Sequence, residues 1–175
     1  MKRWFSLAAI VVISCCALMW SQTTKTQDSK PAETQQEALK QFGSTDSAKW
    51  TDTSKEAAAT DEQKAWLNKG KPETISGEVV DVSCYMQLGK TGAKHADCGG
   101  KCVKNGQPIG ILTSSKELYL VIPEEHHPRR DGQTNIRDAF AAQMGKQVKV
   151  TGMVQQTPQG KAIFVSNMDV QKSGD

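Results

Sequence analysis

Past Thr74 the chain breaks into five short β-rich runs, with one helical stretch between the third and the fourth. That order most limits what the chain can fold into, because strands joined by short turns must pair and close on one core. The first run, TISGEVVDVSCYM (74–86), is β-branched with a glycine near its start and predicts a long strand that bends at Gly77. Along it Val80, Val82 and Cys84 share a face by the period of two. PIGILTSS (108–115) and ELYLVIP (117–123) are the second and third strands. TNIRDAFAAQMG (134–145) predicts a helix: Thr134 or Asn135 caps it, Ile136, Phe140 and Met144 share a face, and Gly145 ends it. KQVKVTGMVQQ (146–156) and AIFVSNMDV (162–170), joined by the turn TPQGK, are the last two strands.

The series resembles the OB-fold, a mainly β, five-stranded Greek-key barrel with one helix between strands 3 and 4. The barrel is placed at residues 74–172, with an insertion at 84–106. More narrowly, GEVVDVSCY, then His95, Cys98, Cys102 and PIGIL, is similar to a group of bacterial exported, lipoprotein-like OB domains with a Cys/His insertion after the first strand. That resemblance implies fold and compartment and supplies no activity.

The N-terminus points to the same compartment. Lys2 and Arg3 precede an uncharged apolar run from Trp4 to Trp20, the build of a secretory signal over residues 1–21. VISC (12–15) resembles the bacterial lipobox, which makes Cys15 the lipid-bearing residue. CALMW stays apolar beyond it, so an uncleaved anchor and an ordinary signal cut near Ser21 are the alternatives. Each places the rest of the chain outside the cytoplasm, in the cell envelope, either membrane-anchored or periplasmic. From 22 to 73 the sequence is rich in Gln, Thr, Ser, Ala, Lys and Asp, and large apolar residues are few: Leu39, Phe42, Trp50, Trp66 and Leu67. This composition predicts a disordered tether whose removal leaves the barrel unchanged. A short helix is expected near 60–69, with Thr60 and Gln63 forming a capping box.

Nucleic acid is the usual partner of an OB barrel, and the sequence argues against it. The net charge is only +3 over 175 residues, and past Thr74 the aromatics are Tyr85, Tyr119, Phe140 and Phe164. Single-strand binders need a basic groove with stacked aromatic residues. The expected partners are the membrane, through the N-terminus, and an envelope protein.

The insertion carries the chemistry. It holds Cys84, Cys98 and Cys102, which are all the cysteines outside the N-terminal apolar run, and His95. A helix from about Ala93, closed by Asn105 and Gly106, puts His95, Cys98 and Cys102 on one face. Gly99 and Gly100 weaken it by about 1 kcal/mol each, so it requires an outside staple through Cys84. Two staples fit. Cys84, His95, Cys98 and Cys102 are a donor set for zinc or copper. Alternatively a disulfide from Cys84 pins the insertion and leaves one spare thiol. A spare thiol near His95 and Lys94 or Lys101 also permits a thiol-based redox enzyme or sensor, although no third group orients the histidine. A second candidate metal site is EEHHPRRD, with His126 and His127 as donors, against the plainer reading of a solvated loop. The sequence thus favours an exported, membrane-tethered OB-like binding or accessory module with a Cys/His site, and no Ser-His-Asp triad or phosphate loop speaks for another chemistry.

Overall fold

A computed structural model describes residues 39–125 and 133–166. Strand β1 (Lys40–Phe42) and helices α1 (Asp52–Ala57) and α2 (Asp61–Leu67) lead into the barrel. Strand β2 (Lys71–Asp81) is followed by helix α3 (Val82–Leu88), a 3-10 turn at Ala93–His95, and helix α4 (Ala96–Lys104). Strands β3 (Ile109–Leu112) and β4 (Leu118–Pro123), helix α5 (Gln133–Ala141), and strands β5 (Gln147–Thr157) and β6 (Gly160–Val165) complete the chain.

The strands form one sheet in the order β1-β5-β2-β3-β4-β6, and pairing of β5 with β6 closes it. Five strands, β2 to β6, therefore make a closed OB-like barrel, with α5 between its third and fourth strands. All barrel pairings are antiparallel except β4 with β6. Strand β2 serves two partners, running beside β5 from Lys71 to Glu78 and beside β3 from Glu78 to Asp81. Gly77 sits at this changeover, where a Cβ would stand 2.6 Å from the Leu112 carbonyl oxygen. Inside the barrel Val79, Ile111, Val148, Val150, Ile163 and Val165 are fully buried, and Ile136 and Phe140 of α5 join the same core.

Two expectations need correction. The first strand does not run through Cys84 to Met86. It stops at Asp81, whose carboxylate oxygen Oδ1 accepts the backbone N–H groups of Ser83 (2.9 Å) and Cys84 (3.3 Å) and so starts α3. An N-cap supplies acceptors that the first helical turn lacks, and here it outweighs the β-branched character of the run.

The second correction concerns residues 39–73, which are folded onto the barrel. Lys40–Phe42 pairs in parallel with Val148–Val150 of β5. Phe42 is 1% exposed and stacks on Phe140 with ring centroids 4.3 Å apart. Trp50 packs edge-on against Phe164 (5.1 Å), and its Nε1 donates to the Leu67 carbonyl (2.9 Å). Helix α2 begins with a complete Thr60–Gln63 capping box. A polar stretch needs only a few large side chains to dock when a preformed core and an open strand edge receive them. Residues 22–38 of the expected tether, the N-terminal signal and Cys15 lie outside the described residues.

Candidate metal centre at the end of strand β2

Asp81 is the hinge of this site. It is 0% exposed, although it carries a carboxyl group at the end of a barrel strand. Its Oδ1 is used by the α3 cap, while Oδ2 is buried without a hydrogen-bond partner. One turn into α3 stands Cys84, half-buried. His95 approaches from the other side, at the end of the 3-10 turn, with 6% exposure and a buried Nε2 that also has no hydrogen-bond partner. The ligand atoms of Asp81, Cys84 and His95 all lie within 4.8 Å of one another.

The supporting shell explains why His95 stays there. The His95 backbone N–H donates to the Gly92 carbonyl (2.9 Å), and the Gly92 N–H donates to the Glu78 carboxylate on β2. Helix α4 then packs against the end of α5. A Cβ on Gly99 would stand 3.0 Å from Met144 Cγ and 3.1 Å from the His95 ring, and one on Gly100 3.2 Å from the Ala141 carbonyl oxygen. The two glycines therefore permit close packing, with the buried Val103 beside them.

The electrostatics of the thiols follow from Asp81. The Asp81 carboxylate accepts the Cys84 thiol proton and repels the thiolate; with burial and the neighbouring Cys102 and Cys98, it pushes Cys84 from 9.0 up to about 11. A thiol is a weak, loosely directed donor, so this contact leaves Oδ2 without a well-formed hydrogen bond. The Cys102 thiol is half-buried and pushed upward by burial first, then by Cys98 and Asp81. Cys98 faces solvent. All three cysteines are free thiols.

Of the four donors expected from sequence, Cys84 and His95 come together, while Cys102, half-buried, and Cys98, exposed, lie outside that cluster. Asp81 was missed, since a strand reading puts it opposite Val80, Val82 and Cys84. The available signal was Asp81 itself, a favoured N-cap residue placed two and three residues before the amides of Ser83 and Cys84. Lys101, considered as a thiol activator, instead pairs with Asp97 (2.8 Å). His126 and His127 lie outside the described residues, while Glu124 of the same EEHHPRRD cluster is buried at 3% exposure and not part of a solvated loop. No family model, curated protein or solved structure matches this chain.

Proposed function

We propose that the chain is an exported, membrane-tethered binding or accessory module that holds a zinc ion through Asp81, Cys84 and His95, with Cys102 as the fourth donor. The observation that carries this reading is the pair of buried, unpartnered atoms, Asp81 Oδ2 and His95 Nε2, in one cluster with a thiol. Buried polar atoms without partners are costly, and a cation satisfies both at once. The donor set also bears on which metal. Replacing one thiolate by a carboxylate moves the site away from copper(I), which prefers soft sulfur, toward zinc, which accepts sulfur, nitrogen and oxygen together. Bound, the ion would turn the Cys84 thiol into a thiolate ligand by outcompeting its proton.

A redox enzyme needs the opposite arrangement. Its attacking thiol must ionise easily, whereas Asp81 makes Cys84 harder to ionise. Export and tethering rest on Lys2, Arg3, the apolar run to Trp20 and the VISC motif at Cys15.

The test is metal analysis of the full chain purified from the cell envelope. Wild type is expected to carry one zinc per chain, and Asp81→Asn and His95→Ala to lose it, with affinity lowered by at least about a hundredfold. Cys98→Ser is expected to retain it. A wild-type protein that takes up neither zinc nor copper after reduction sinks the metal reading.

A further inference from the structure

Between α1, α2 and the barrel lies a cleft of about 420 Å³. Trp50, Trp66 and Phe164 contribute aromatic surface, and Glu124 lines it as well. Among the described residues the charged groups lining the cleft are both acidic, Glu124 and Glu125. Glu124 is 3% exposed. Its Oε1 accepts the Thr51 N–H (2.7 Å) and the Thr51 hydroxyl (3.3 Å), and its carbonyl accepts the Ser54 hydroxyl (2.9 Å). Oε2 is buried and has no hydrogen-bond partner.

We propose that this cleft binds a small organic ammonium ion, a primary amine on a short apolar body, drawn by the charge of the Glu124 carboxylate. Three observations converge on that class. The volume is that of a small-molecule site and not of a macromolecular groove. The charged side chains among the described lining residues are acidic. The walls are aromatic, and indole faces attract ammonium groups; Trp66 already holds one, Lys69 Nζ, 4.0 Å from its ring centroid. A hard metal ion is a poor fit, because apolar rings surround a single carboxylate oxygen where such an ion needs several oxygen donors.

The probe is n-butylammonium chloride, followed through the indole N–H resonances of Trp50 and Trp66 in the full chain. Saturable shifts are expected with butylammonium, and none with butanol or butyrate at equal concentration. Glu124→Gln should weaken binding at least about tenfold. Trp66→Ala, at a half-exposed position that leaves the fold intact, should weaken it several-fold and covers the case in which the Glu124 variant unfolds. Equal or tighter binding of Nα-acetyl-lysine amide, whose ε-ammonium is free, would support the same ammonium chemistry and assign its source to a lysine of a partner protein. Equal response to butanol, or undiminished binding in a folded Glu124→Gln or Trp66→Ala protein, overturns the proposal.

Discussion

Asp81 and Glu124 are both buried carboxylates at the end of a barrel strand, and each has one oxygen satisfied and one left over. In both, the satisfied oxygen accepts backbone N–H groups where a short helix begins: Ser83 and Cys84 for Asp81, Thr51 for Glu124. What differs is the company of the second oxygen. Beside Asp81 stand a thiol and an imidazole, which are metal donors. Around Glu124 stand two indoles and a phenyl ring, which favour a large soft cation. The same buried acid thus acquires a different partner from its neighbours, and the lesson is that an orphan carboxylate by itself specifies only positive charge.

The comparison holds only if the two sites are independent, and the largest expected effect tests that. Phe42→Ala should cost about 3–5 kcal/mol of stability by denaturant unfolding, since it empties space against Phe140. Phe42 belongs to the segment that carries Thr51, Trp50 and Trp66, whereas Asp81, Cys84 and His95 come from β2, α3 and the 3-10 turn. Butylammonium affinity should therefore fall with zinc affinity retained in the folded variant. Equal loss of both would show a single coupled unit.

A smaller effect attacks the other side. In Gly99→Ala the helix gains about 1 kcal/mol in propensity and loses a similar amount to crowding against Met144 and His95, so stability should stay within about 1 kcal/mol of wild type. Zinc affinity should drop about tenfold, because the new methyl displaces the His95 ring, and the Glu124 cleft should not respond. Titration calorimetry of both ligands on the one variant separates these outcomes.

The third contrast is with pH. Cys84 must lose its proton to bind metal, so zinc affinity should climb by about tenfold per unit from pH 7 to 9 for that thiol. Without metal, the sign for stability is reversed. The Cys84 thiol is raised from 9.0 to about 11 in the folded chain, so its stabilising contribution is present below pH 9 and lost as pH climbs through 11. Cys84→Ser should lack the stability dependence and lose its own share of the affinity climb, leaving that of Cys102, which melting curves with and without zinc would reveal. The Glu124 cleft contains no thiol, and its ammonium affinity should show no such climb.

Much of the barrel was legible in the sequence, because alternation such as Val148, Val150 and Val154 reports burial on one side directly. His95 and Cys84 were legible as site residues for a different reason, their chemistry being unusual wherever it occurs. Asp81 and Glu124 were hidden. An acid in a sequence reads as solvent-facing, and only the fold shows that helix-start amides wait for it in the interior. Phe42 and Trp50 were hidden by averaging, since two aromatic anchors vanish within a long polar composition.

Strand β1 also has a role that its three residues understate. Strand β5 is long enough to outrun β6, which pairs only with Met153–Thr157, and β1 covers Val148–Val150 on that same side. Without it, a row of unpaired amides and carbonyls between valines would lie open at the seam of the barrel. Such an edge recruits strands from other molecules. A chain trimmed to begin after Phe42 should thus tend to self-associate through the bared seam of β5, and β1 serves as its built-in guard against aggregation.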